Sequence, residues 1–376
     1  MYKAYKFRIY PNNNQRALIN KTFGCYRFIY NYFLDKCMKN KYINSFDMCN
    51  ELKELYSEYN WLKEVDSCSL RCAIFNLEDA YKNFFSKRSS YPKFKNKYSR
   101  QTYRTNCIRG KYRNSEYNNI LLDLKNKKIK LPKLGLIDIR GYRNIKEIKG
   151  RIINATMIKE TTGKYYVSVI IEENENEIPK VKPTNIIGLD LGVKDLVVTS
   201  DGEKYDNPKV IKKYEKRIKR LQRKLSREIK ESNNYKKTKI KIARIYNKIL
   251  NTRKHNIINI VNKIVKENDI IISEKLRVTE MVNNNKLAKN ILDASFNKIC
   301  NLLRWKSKIY GKLYYQIDTY YPSSKICNRC GEKTTLTQDL NIRKWKCIKC
   351  EAEHDRDINA SINIMFEGLK YCFRKK

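Results

Sequence analysis

Two C-x-x-C knuckles, Cys327-Asn328-Arg329-Cys330 and Cys347-Ile348-Lys349-Cys350, stand 16 residues apart. Four thiolates at this spacing close a tetrahedral zinc site, so residues 323–351 are expected to form a small ribbon that folds around one structural Zn²⁺. A redox or disulfide pair is the competing explanation, and an intracellular setting disfavours it. The four ligands leave no open coordination position, so this zinc is not catalytic. Only two histidines exist, His255 and His354. That excludes chemistry needing several imidazoles, such as a His-Asn-His nuclease. Eight of the 12 cysteines lie outside the knuckles as single thiols, the usage of small buried hydrophobes.

Acidic residues flank the ribbon in a repeated design. Asn185 to Asp195 opens as a short apolar run interrupted by Asp190, with Gly188 and Gly192 on either side. Leu196 to Ser200 gives a second strand, and Asp201-Gly202 is a hairpin-turn dipeptide. A strand with a mid-strand acid followed by a hairpin is how a ribonuclease-H-like sheet begins. Asp190 alone reads equally as a hydrogen-bonded strand acid or as a metal ligand. Ile270-Ile271-Ile272-Ser273-Glu274 repeats the pattern, an apolar strand ending in an acid. Asp357 follows the knuckles at the start of a helix read over residues 358–369, where an N-cap is the ordinary explanation.

Lys and Arg number 81 against 39 Asp and Glu, a formal net charge of +42. Such an excess calls for a polyanionic partner. The 28 tyrosines interleave with the cations, a composition suited to stacking on bases while holding phosphates. No apolar run reaches the length of a membrane span and no signal-peptide pattern opens the chain. The expectation is a soluble intracellular protein that binds nucleic acid.

In chain order, Tyr2 to Tyr10 reads as a strand ending at Pro11, and Asn12-Asn13-Asn14 offers cap chemistry. Ile19, Phe23, Tyr26, Tyr30, Phe33 and Cys37 mark one helix, and Phe46 to Tyr59 a second. Asp66 or Ser67 caps a third, striped by Leu70, Ile74, Leu77, Tyr81 and Phe84. Ser86 to Arg113 mixes cations, aromatics and hydroxyls, fitting a nucleic-acid-contacting loop system or an ordinary solvated basic loop. Short strands from Asn119 to Glu173 suggest a small barrel, which the first strand could complete. Glu172 to Pro183 reads as a linker. Two long basic helices follow the Asp190 hairpin, separated by Ser232-Asn233-Asn234. Their cationic faces are either solvated or line a channel for a duplex backbone.

These segments resemble the TnpB (OrfB) family, RNA-guided DNA endonucleases of bacterial insertion sequences related to type V CRISPR effectors. The resemblance runs through Lys3 to Pro11, Thr22 to Phe28, Ala80 to Phe85 and Tyr103-Arg104-Thr105. Gly188-Leu189-Asp190-Leu191-Gly192 looks like the first RuvC motif, Glu274 the second, and Arg356-Asp357-Ile358-Asn359-Ala360 the third. The knuckles fall between the second and third.

The resemblance implies an α/β plus β-barrel, multidomain protein. A wedge β-barrel like an OB fold would take residues 1–11 and 89–180, and a helical recognition lobe residues 12–88. A ribonuclease-H-like RuvC nuclease domain would take residues 181–322 and 352–376, with the zinc ribbon inserted at 323–351 as a target-nucleic-acid-binding element. Asp190, Glu274 and Asp357 would hold two catalytic Mg²⁺, three hard oxygen ligands being suited to a two-metal site. Arg356 and Asn359 would support catalysis by orienting ligands or the scissile phosphate. The implied partners are a guide RNA from the transposon end, one protein chain per RNA, and double-stranded target DNA, with no membrane. The implied place is the bacterial cytoplasm, at the nucleoid when bound to target. Cleavage beside a short transposon-adjacent motif would aid transposon maintenance. A guide-dependent DNA-binding regulator without cleavage and a strand-transferring transposase are the alternatives. Phe46 and the helix start Ser67 to Arg71 are expected to face the adjacent motif, with Arg71 reading a guanine or contacting a phosphate. Tyr81, Lys82, Asn83, Tyr103, Arg104 and Thr105 are further candidate nucleic-acid contacts.

Overall fold

The computed structural model describes residues 1–112, 115–141, 150–173, 182–283, 285–339 and 342–373. It falls into two compact units, Met1–Asn176 and Glu177–Lys376. The expected boundary between wedge and nuclease at residues 180 and 181, with most of the linker, lies outside the described residues.

The first unit begins with β1 (Tyr2–Tyr10), then α1 (Asn13–Lys39), α2 (Ser45–Glu58) and α3 (Ser67–Phe85). Asn12 caps α1 through a capping box: it accepts from the Gln15 N–H at 2.9 Å, and the Gln15 side chain accepts from the Asn12 N–H at 3.0 Å. Asp66 is the cap of α3, accepting from the N–H groups of Cys68 and Ser69. The apolar stripes read from the sequence are buried, from Ile19 to Cys37 on α1 and from Leu70 to Tyr81 on α3. Eight strands follow: β2 (Gln101–Asn106), β3 (Arg109–Tyr112), β4 (Ser115–Asn118), β5 (Leu121–Asp123), β6 (Lys128–Leu131), β7 (Gly135–Arg140), β8 (Arg151–Lys159) and β9 (Tyr165–Glu172).

The expected barrel is corrected here to an open sheet. Seven strands pair in the order β2-β8-β9-β1-β7-β6-β5, and the edge strands β2 and β5 do not pair with each other among the described residues. The first strand does not close the sheet; it lies in the middle, with Phe7 opposite Val167 of β9 and Ile9 opposite Ile139 of β7. The helices supply the reason. One apolar cluster joins Phe23, Tyr26 and Phe33 of α1 and Leu70 and Ile74 of α3 to Phe7, Met157, Val167 and Val169 of the sheet. Helix-on-sheet packing buries the apolar face, so closure on itself is not needed.

The second unit starts with β10 (Ile186–Asp190), β11 (Asp195–Thr199) and β12 (Lys204–Asp206), then α4 (Val210–Arg227) and α5 (Asn233–Glu267). Next come β13 (Ile270–Glu274), α6 (Val278–Val282), α7 (Asn285–Ala294), α8 (Phe296–Ile309) and β14 (Leu313–Ile317). The chain ends through β15 (Lys344–Lys346), β16 (Glu353–Asp355) and α9 (Arg356–Phe373). Five strands form a mixed sheet in the order β12-β11-β10-β13-β14. β10, β13 and β14 run parallel, and the hairpin partners β11 and β12 antiparallel. The all-apolar strands are covered on both faces, as parallel sheets require. Ile271 faces the cluster of Ile260, Val261 and Ile264 from α5 with Phe296 and Leu303 from α8. Its neighbours Ile270 and Ile272 face the cluster containing Ile364 of α9. The Asp201-Gly202 hairpin forms, with Gly202 at φ +92° and its N–H bonded to Thr199 O at 3.0 Å. Among the described residues no helix is long and apolar enough to cross a membrane.

Candidate active site and zinc ribbon

Asp190 and Glu274 are the last residues of β10 and β13, which are adjacent and parallel. Leu189 pairs with Ser273, so the two acids are the next position outward on the same sheet edge. Carboxyl ends of parallel strands are where open α/β sheets place ligands. The two side chains hydrogen-bond to each other, and the Leu191 N–H donates to Glu274 Oε1 at 3.4 Å. Burial, then the Asp357 charge, raises the Asp190 carboxyl to about 7; the Arg356 charge works against this. Burial, then Asp190 itself, raises Glu274. Two carboxyls that resist ionising together are neutralised by protons or by a cation.

Asp357 comes to this edge on α9. Its carboxylate is free of capping duty, because Asp355 performs it, accepting from the Asp357 N–H at 3.1 Å and the Ile358 N–H at 3.2 Å. Instead both Asp357 oxygens accept from Arg343 Nη1, at 3.0 and 2.9 Å. Reading the sequence missed Arg343 and Asp355. The Asp355 signal was present, an acid directly before the helix's first residue; Arg343 follows no periodicity. Arg356 is buried and donates to Asp339 O at 3.2 Å. Asn359 is buried with both ends of its amide bonded: Nδ2 donates to Ile326 O at 2.8 Å, and Oδ1 accepts from the Asn328 N–H at 2.9 Å. It fastens the ribbon to α9.

The four knuckle sulfurs lie within 4.8 Å of one another, a cluster that could hold a metal such as zinc. His354 Nε2 is 3.1 Å from Cys327 Sγ, and its ring packs against Trp345 at 4.7 Å between centroids. β16 runs directly into α9, and the Arg356 N–H bonds Arg343 O at 2.8 Å. Ribbon and Asp357 are therefore carried on one continuous piece of backbone.

The candidate nucleic-acid contacts divide. Phe46, Ser67, Arg71, Lys82 and Asn83 are exposed. Tyr81, Tyr103 and Thr105 are buried and are corrected to core residues. Tyr81 lies on the inward stripe of α3, and its hydroxyl bonds Tyr91 at 2.9 Å. Tyr103 packs edge-on to Phe23, and Thr105 donates to Asp66 at 2.6 Å. Strand alternation turns both to the same inner face. Arg104 also reaches inward, bonding Cys72, with its Nε buried.

The chain is 34% identical to a Streptomyces pristinaespiralis protein described as an RNA-guided DNA endonuclease, over 98% of this chain and 89% of that one. It is 30% identical to the Escherichia coli (strain K12) protein InsQ, which carries the same description, over 97% and 92% of the two chains. The chain belongs to the TnpB (OrfB) family. Family models match residues 168–285 ("Probable transposase"), 296–364 ("Cas12f1-like, TNB domain") and 1–42 ("Helix-turn-helix domain"). The last of these spans β1 and α1, a strand and one continuous helix in this TnpB-family chain. The fold is similar to Cas12f1 in a complex with sgRNA and target DNA, with TM-score 0.58 and 13% identity over 97% of this chain and 98% of that one. It is also similar to the mini-RNA-guided endonuclease CRISPR-Cas_phi3, with TM-score 0.52 and 9% identity over 98% and 92%.

Proposed function

We propose that this chain is an RNA-guided endonuclease that hydrolyses double-stranded DNA beside a short adjacent motif, with Asp190, Glu274 and Asp357 as its catalytic carboxylates. The carrying observation is the meeting of two strand-end acids, hydrogen-bonded to each other, with a third from α9 acting on Asp190. The five-stranded order supports a ribonuclease-H-like nuclease domain. Its relatives in the TnpB family support RNA guidance.

The acid cluster fits hard divalent cations: carboxylate oxygens are their preferred ligands, and the Arg356 charge only partly offsets the raised Asp190. Asp190, Glu274 and Asp357 would hold Mg²⁺ there, which would supply activation of water and stabilisation of the leaving oxygen. The protein's own work is to hold three oxygens on one edge. β10 and β13 fix Asp190 and Glu274 from below, and α9 fixes Asp357 from the side. Arg356 places a positive charge near Asp190. The cationic face of α4, with Lys216, Lys219, Arg220, Arg223, Lys224 and Arg227 around one open groove, suits a phosphate backbone. In this reading α1–α3 form the recognition lobe, the seven-stranded sheet the wedge, and the four-cysteine ribbon a zinc-held insertion in the nuclease domain. Guide pairing reads sequence, and exposed residues such as Phe46, Ser67 and Arg71 face the adjacent motif.

The test is cleavage of a plasmid library with randomised flanks, using the RNA that copurifies with the chain and added Mg²⁺. Wild type is expected to cut beside one motif, and Asp190→Ala to bind without cutting. A wild type that binds and never cuts returns the guide-dependent regulator; strand-joined products without RNA return the transposase.

A further inference from the structure

Three acids at the cluster are held in two different ways. Asp190 and Glu274 bond to each other. Asp357 is held from the ribbon, where both of its oxygens accept from one nitrogen of Arg343. A guanidinium hydrogen and a divalent cation compete for the same carboxylate lone pairs. We propose that Arg343 gates the carboxylate site: it occupies Asp357 in the cation-free chain and must leave before a divalent cation can use that carboxylate. The inference rests on the assignment of Asp357 as a metal ligand.

The backbone around this pair is fixed. Lys344 of β15 pairs with Asp355 of β16, and the Arg343 carbonyl accepts from the Arg356 N–H at 2.8 Å. The ribbon's register therefore sets Arg343 opposite the first residue of α9. The side chain is not fixed in the same way. Its relative exposure is 41%, against 16% for Asp357, so solvent reaches the guanidinium side of the pair. The Arg253–Asp293 pair in the same unit shows the contrast. Its side chains are 14% and 7% exposed, and Asp293 also accepts from the Ile211 N–H at 3.2 Å, bracing the start of α4. That pair is enclosed and structural, whereas Arg343 of the Arg343–Asp357 pair is exposed. A ligand that binds only the released state shifts the equilibrium by its differential affinity. Displacing a half-exposed ion pair weakens cation binding by a modest factor.

Mn²⁺ titration of the zinc-loaded full chain without RNA, with free Mn²⁺ read by electron paramagnetic resonance, tests the gate. Arg343→Gln is expected to bind Mn²⁺ about threefold to tenfold more tightly than wild type. Arg343→Lys, which keeps a charge but loses the planar fork, should fall between. Zinc content and melting temperature should stay as in wild type. Equal or weaker Mn²⁺ binding in Arg343→Gln overturns the gate, and so does loss of zinc in both variants, which would make Arg343 a brace of the ribbon. Asp190→Asn separates the gate from the site it guards. If it leaves the wild-type Mn²⁺ site untouched, the metal-ligand assignment itself is wrong and the gate falls with it.

Discussion

Gly188 of β10 lies directly against the Ser361 carbonyl of α9. A Cβ added there would collide with that oxygen and come within 2.8 Å of Met365 Cβ. Gly368 repeats the contact two turns on, against Ile272 of β13. The absence of two side chains lets α9 sit on the two strands that carry Asp190 and Glu274. Gly188→Ala is expected to push α9 outward and destabilise the second unit by about 1–3 kcal/mol, the usual cost of overpacking. Because Asp357 rides on α9, cleavage should fall far more than DNA binding. Melting temperature and paired binding and cleavage assays check this; equal losses in both would mean that the helix had not moved relative to the strands.

The raised acids give the cation-free chain a pH signature. Asp190 and Glu274 have folded values above the ordinary carboxyl range, through burial first and a neighbouring carboxylate second, Asp357 for Asp190 and Asp190 for Glu274. The folded state therefore holds protons that the unfolded chain has released. Their stabilising effect is complete below the unfolded values near 4 and is lost as pH rises through about 7 to 8. Thermal melts with chelator present should show the melting temperature falling over that window, and Asp190→Asn should flatten the fall. Added Mg²⁺ should stabilise more at pH 8 than at pH 6. A melting temperature that rises over the window would contradict the shared-proton arrangement.

How much of this was legible follows from the range of each interaction. Cys327 to Cys350, the strands carrying Asp190 and Glu274, the Asn12 and Asp66 caps and the helical stripes are local patterns, and each formed, with Asp190 at the end of its strand and not within it, and Asp66, not Ser67, as the α3 cap. The barrel failed because sheet closure depends on what covers the sheet: Phe23 and Ile74 face Val167 across more than ninety residues of sequence. Tyr103 and Thr105 failed for a similar reason. Arg100 to Thr105 mixes cations with hydroxyl-bearing residues, which fall on both faces, and which set faces inward is decided by pairing with β8, Tyr103 opposite Met157 and Thr105 opposite Ala155. Arg343 was invisible because its role depends on the ribbon folding back onto α9.

The core placement of Tyr103 is itself testable. Tyr103 is 5% exposed, with its ring 5.4 Å from that of Phe23. Tyr103→Ala should cost about 3–5 kcal/mol, as deletion of a buried aromatic does. Tyr103→Phe should leave guide-RNA affinity unchanged. Exposed Phe46 should behave the opposite way, with Phe46→Ala folding normally and altering only target recognition. Denaturant melts beside RNA- and DNA-binding assays separate the two classes, and an RNA-binding defect in Tyr103→Phe would restore it as a contact residue.

The α4 groove decides whether its charge is a working surface or only a solvated face. Ile218 is buried on the α4 side that packs against Ile245 and Ile249 of α5, while Arg220, Arg223 and Arg227 line the open groove. Neutralising those three to Gln leaves the buried side intact, so folding should be unaffected. If each contacts a phosphate, binding should weaken at low salt and the slope of log affinity against log salt should shrink by about 0.7–0.9 per contact, roughly 2 to 3 in all. Counterion release makes the slope a count of phosphate contacts, which affinity at a single salt concentration cannot supply. An unchanged slope would assign the charge to solubility and place the nucleic acid elsewhere on the chain.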